Sequence, residues 1–129
     1  MGTRALTIFI DSYTDYKTKE QKEEEIAVLY RQMDGYPDCH GEELVEFLRG
    51  KKIVNGYNQE DEKKGYFNGM SNLAVQTIAH FNCGIGNFHL HPAGTRDCWE
   101  EYIYYIRQKG DKIEVTCEDT NERKKKVLL

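Results

Sequence analysis

Ala5-Leu6-Thr7-Ile8-Phe9-Ile10 is dense in β-branched and aromatic side chains, and Leu6, Ile8 and Ile10 alternate with Ala5, Thr7 and Phe9. That pattern predicts a strand buried on both faces. Residues 11–25 are polar with no apolar period and read as a solvated connection. Ile26-Ala27-Val28-Leu29-Tyr30-Arg31 follows as a second strand that pairs with the first as a long-looped hairpin. Asp34-Gly35 and Pro37 stop it and turn the chain. A helix is expected next, with Leu44, Phe47 and Leu48 at helical spacing, Glu42 and Glu43 in its first turn, and Gly50 as terminator. Residues 51–67 read as a surface loop. Asn68 is the expected cap of a longer helix whose apolar face is Leu73, Ala74, Thr77, Ile78 and Phe81, ended by Gly84.

Residues 87–91 read as a short strand stopped by Pro92. Tyr102–Arg107 and Lys112–Glu118 form a hairpin around Lys109-Gly110-Asp111, and Lys124–Leu129 adds an edge strand. Tyr102, Tyr104 and Ile106 line one face of their strand, while Ile113, Val115 and Cys117 point inward. The order is therefore β-β-α-α-β-β-β, an α+β fold in which two helices cover one face of a mainly antiparallel sheet. With 129 residues and no repeat, the chain is read as a single domain over 1–129.

Lys and Arg number 18 against 22 Asp and Glu, a formal net charge of −4. By halves the balance is 10 minus 14 for residues 1–64 and 8 minus 8 for the rest, so neither is basic. Non-specific nucleic-acid binding by a broad positive face is disfavoured. No apolar run approaches 18 residues and no signal peptide stands out, which argues against a membrane and for the cytoplasm. Cys39, Cys83, Cys98 and Cys117 contain no CxxC pair, so they are expected to be reduced thiols.

Three loops collect polar residues the fold does not require: Gly2-Thr3-Arg4, the turn from Tyr30 to Gly41, and Pro92–Asp97, which repeats Gly-Thr-Arg. The turn at 34–41 leads into a helix, where unpaired N–H groups and the helix dipole favour an anion. Arg4, Arg31 and Arg96 offer forked donors for phosphate, Gln32, Asp34 and His40 can bond sugar or base, and Tyr36 or Trp99 can stack on a purine. The alternative is that Asp34 and Asp38 pair with those arginines and cap the helix as a structural corner. His89-Leu90-His91 would place two imidazoles on one strand face, but no third ligand is identifiable, so no metal is expected. His80 reads as structural. No other cofactor is implied, and no Gly-x-Ser-x-Gly, P-loop or His-Glu-x-x-His signature is present.

Gly2-Thr3-Arg4-Ala5-Leu6-Thr7, Tyr30-Arg31-Gln32-Met33-Asp34-Gly35-Tyr36-Pro37 with His40-Gly41-Glu42-Glu43-Leu44, and Asn68-Gly69-Met70 resemble a family of small uncharacterised phage, large-virus and bacterial proteins. The likeness continues through Pro-x-Gly-Thr-Arg-Asp and covers most of the chain. Members often read Tyr-Leu-Tyr-Pro where this chain has His89-Leu90-His91-Pro92, which further disfavours a histidine metal site. The resemblance implies no established enzyme activity and a viral or mobile-element setting. By analogy with viral sponges of nucleotide immune signals, the leading expectation is a non-enzymatic binder of a small anionic nucleotide-like ligand, assembled as a homo-oligomer. A protein–protein inhibitor using the same turn, and a small phosphoesterase using His40 with Asp34 or Asp38, are the alternatives.

Overall fold

Strand β1 (Ala5–Thr14) is the third strand of a six-stranded sheet and every residue from Ala5 to Ile10 is buried. The computed structural model describes residues 2–82 and 84–129. β1 pairs antiparallel with β2 (Gln21–Arg31) and parallel with β6 (Tyr102–Lys109), Ala5 lying opposite Arg31 on one side and Tyr102 on the other. β5 (Phe88–Pro92) adds to β2, while β7 (Lys112–Asp119) and β8 (Lys124–Val127) extend from β6, all antiparallel. The strand order is β5-β2-β1-β6-β7-β8.

The period-two alternation of β1 divides the core in two. Ala5, Phe9, Leu29, Tyr104, Ile106, Val115 and Cys117 belong to one cluster, together with buried residues of helices α1 (Glu42–Leu48) and α3 (Gly69–Phe81). Leu6, Ile8, Ile10, Val28 and Ile103 form the other, against which Tyr30, Cys98 and Tyr105 pack. The first cluster marks what is here called the first face, the second cluster the second face.

Several expected elements differ. The polar connection at 11–25 is mostly strand: β1 runs to Thr14, β2 starts at Gln21, and the hairpin closes through Asp15 N–H to the Glu20 carbonyl at 2.9 Å. Backbone pairing and cross-strand contacts such as Gln21 Nε2 to Thr14 Oγ1 at 2.7 Å hold this exposed end, so no apolar period is needed. The loop at 51–67 contains a third helix, α2 (Gln59–Lys63), capped by Asn58 Oδ1 accepting from the Asp61 N–H at 2.8 Å. It also contributes two-residue strands β3 (Ile53–Val54) and β4 (Phe67–Asn68), paired parallel in a separate small sheet. Asn68 does not cap α3 with its side chain; its Oδ1 accepts instead from the Gly56 N–H at 2.8 Å.

Cys39, Cys98 and Cys117 are free thiols, and Cys83 lies outside the described residues. Among the described residues no helix is long and apolar enough to cross a membrane.

Candidate functional site

The turn after β2 is shaped by what cannot fit in it. A Cβ on Gly35 would lie 2.6 Å from Ala5 Cβ and 2.9 Å from the Thr3 carbonyl oxygen, so the chain passes here only as glycine. The Gly35 N–H donates to the Thr3 carbonyl at 2.9 Å, and the buried Tyr104 hydroxyl donates to the Gly35 carbonyl at 2.6 Å. Pro37 then opens a π-helical turn, Pro37–Gly41, in which the Cys39 and His40 N–H groups both donate to the Tyr36 carbonyl at 3.0 Å. It runs without a break into α1. The donors expected to receive an anion at the helix start are thus already spent inside the turn.

That turn delivers His40 beneath the first face, fully buried against Tyr104 and Phe81, with ring centroids 4.9 and 5.1 Å away. Arg31 is 7% exposed, and its Nη1 donates to His40 Nδ1 at 2.9 Å. A guanidinium can only donate, so Nδ1 is the acceptor and Nε2 carries the proton. Nε2 in turn donates to Thr7 Oγ1 at 2.7 Å. Burial, reinforced by the Arg31 charge, pushes the His40 pKa down to about 3, so the ring is neutral at physiological pH.

The rest of the guanidinium is nearly saturated. Nε donates to the Met33 carbonyl at 2.7 Å and Nη1 also reaches Glu43 Oε2 at 3.1 Å. The Cys39 thiol donates to Glu43 Oε1 at 3.2 Å, and burial followed by that carboxylate raises its pKa. Nη2 has only a 3.9 Å contact to Cys39 Sγ among the described residues.

Arg31 borders a groove of about 670 Å³, lined also by Glu43, Glu46, Phe47, Lys51, His80, Phe81, Asn87 and Phe88. Phe47 and His80 stack at 4.2 Å, and Lys51 Nζ lies 3.9 Å from the Phe47 centroid. Partial burial lowers the Lys51 pKa. Asn87 fixes one wall: its carbonyl accepts from the Gln32 N–H at 2.7 Å and its Oδ1 from the Met33 N–H at 2.8 Å.

Of the residues expected to share a ligand, only Arg31 lines this groove. His40 stands behind it with both ring nitrogens engaged, so it positions the guanidinium instead of touching a ligand. Gln32, Asp34 and Tyr36 are exposed on the turn and do not line the groove, Asp34 having a left-handed φ of 62°. Arg96 pairs at 2.7 Å with Glu25, which lies opposite Ile10 of the second cluster and so places the pair on the second face. Trp99 is nearby on the same covering segment and 84% exposed. Arg4 is half-buried, its carbonyl accepting from the Glu101 N–H at 2.9 Å. The three arginines therefore do not converge. Arg31 and Arg96 lie on opposite sheet faces, and their acidic partners are Glu43 and Glu25, not Asp34 or Asp38.

Phe47 and Lys51 sit close in sequence around the end of α1, but His80 and Phe88 come from α3 and β5, so no local pattern marks the four together as ligand residues. Among the described residues no group of three or more His, Cys, Asp and Glu is placed to hold a metal ion. His89 and His91 share a strand face as expected, but both pack against the Tyr30 ring, at 5.9 and 5.8 Å. No family model matches the chain, and the searches of curated proteins and of solved structures return no match.

Proposed function

We propose that the protein is a non-enzymatic binder of a small anionic, nucleotide-like ligand, held in the groove beside Arg31. The observation that carries this reading is the state of Arg31: a buried guanidinium whose Nη2 edge has only the Cys39 sulfur contact, on the wall of the groove. A buried donor without a good acceptor is costly, and a phosphate oxygen satisfies it. Lys51 supplies a second positive charge, while His80 and Phe88 add ring surface for a base. Glu43 and Glu46 would repel a bare phosphate, but their oxygens can accept from ribose hydroxyls or a base amino group, which favours a nucleotide over inorganic phosphate. The resemblance implies a viral or mobile-element setting, and by analogy with viral sponges such a pocket would sequester a host nucleotide signal.

Calorimetry against a panel of cyclic nucleotides and ADP-ribose isomers tests the reading. A saturable heat is expected for at least one, with the nucleotide recovered unchanged, and Lys51→Ala should weaken it about fivefold as a partly desolvated charge contact is lost. Silence across the panel from folded protein, or binding indifferent to Lys51→Ala, overturns it.

A further inference from the structure

The second face carries a different anomaly. Gly94–Glu101 runs beside it as an irregular segment fastened at almost every residue. The Gly94 N–H and both Arg96 Nη atoms bond Glu25, and Thr95 Oγ1 donates to the Pro92 carbonyl at 2.7 Å. The Asp97 and Cys98 N–H groups donate to the Glu100 carboxylate at 3.0 and 3.1 Å. Thr120 Oγ1 donates to the Glu100 and Glu101 carbonyls at 3.0 Å, and the Glu101 N–H to the Arg4 carbonyl. In the middle of this fixed segment stands the only tryptophan of the chain, 84% exposed.

A solvent-facing indole carried on a fastened backbone is the kind of group that anchors protein interfaces, since the cost of ordering the segment is met before binding. Beside it Asp97 and Glu100 complete a shallow notch of about 280 Å³. The cation of this segment, Arg96, is committed to Glu25, so the notch presents an aromatic face with negative charge at its rim. That combination repels phosphate and excludes nucleic acid as the occupant. It matches one side chain best. A guanidinium can lie flat on the indole while its edge donates to the carboxylates, whereas an ammonium has no plane to stack.

We infer that the Asp97–Trp99–Glu100 notch is a docking site for an arginine side chain of a partner protein, separate from the groove beside Arg31. Because Trp99 is the sole tryptophan, its fluorescence reports on this notch alone.

The test titrates the protein with a capped peptide of alternating glycine and arginine, and with its lysine twin, following Trp99 emission. The arginine peptide should give a saturable shift, at least about threefold tighter than lysine, the margin of a stacking contact. Asp97→Asn should weaken it about threefold, the worth of one exposed ion pair, while leaving the segment's backbone bonds in place. Lys51→Ala should leave it unchanged. No saturable shift, equal affinity for both peptides, or indifference to Asp97→Asn overturns the proposal. So does emission of the free protein that depends on its own concentration, which would make a second copy the occupant.

Discussion

The corner around Arg31 and the segment around Trp99 use the same device to opposite ends. Each fixes an arginine to a glutamate, at 3.1 Å for Arg31 and Glu43 and 2.7 Å for Arg96 and Glu25. In the first corner the pair turns inward: the guanidinium is buried, a neutral imidazole backs it, and all but its Nη2 edge is taken up by polar partners. In the second the pair lies at partial exposure and serves to hold a backbone whose largest side chain faces water. An ion pair of given length therefore says little about its worth; what surrounds it decides.

The contrast breaks most visibly on substitution at the two sites. Arg31→Met strands Glu43, His40 Nδ1 and the Met33 carbonyl together, and should cost about 3 kcal/mol of unfolding free energy in urea titrations. Trp99→Ala, by comparison, should shift the same measurement by less than about 0.5 kcal/mol. A large loss at Trp99 would mean that the indole has a structural role on its own surface.

Glycine sharpens the comparison next. Gly35→Ala forces a methyl against Ala5 and the Thr3 carbonyl, and about 2 kcal/mol should be lost by overpacking. Gly94 has a left-handed φ of 85° but open space around it, so Gly94→Ala should cost about 1 kcal/mol from backbone conformation alone. Thermal melts of the two variants would rank them.

A different handle on the buried corner is its pH dependence, which accumulates over several units. An unfolded histidine titrates near 6.5, whereas His40 in the fold does so at about 3. Above pH 6.5 both states are neutral and the corner is fully stable. Below it the unfolded chain takes up the proton first, so stability should fall by up to about 1.4 kcal/mol per pH unit as the pH drops towards 3. His40→Gln should remove that slope between pH 6.5 and about 5.5, before the lowered carboxylates Glu25 and Asp15 begin to contribute. Urea titrations of both proteins across this interval provide the check.

Where burial wrote a period into the chain, the sequence was readable. β1 and β7 show it in their alternation, and the face of α3 from Leu73 to Phe81 is buried but for the half-buried Ile78. Elements held by backbone pairing or a cap alone left no such trace: the outer hairpin of β1 and β2, and α2, whose five residues bury nothing. At the candidate site the turn from Tyr30 to Gly41 stood out through its glycine and proline, and Arg31 and His40 do meet there. Which way each side chain points was not legible. Arg31 shares its face with Ala5 and Thr7 because of register, and Arg96 lies across the sheet because the covering segment crosses over. Neither fact has a local signature. Lys51 and His80 reach the groove only through the packing of α1 and α3.

One seam sets the six-stranded sheet apart from a simple meander: β1 and β6 run parallel, while its other neighbouring pairs are antiparallel. On one side of it β6, β7 and β8 follow one another along the chain and need only short closures to zip. The seam itself joins residues from nearly opposite ends of the chain, so its loop-closure entropy is the largest in the fold and its pairing is expected late in assembly. The Trp99 segment leads directly into β6, where the Glu101 N–H donates to the Arg4 carbonyl, so closing the join also sets where that indole stands.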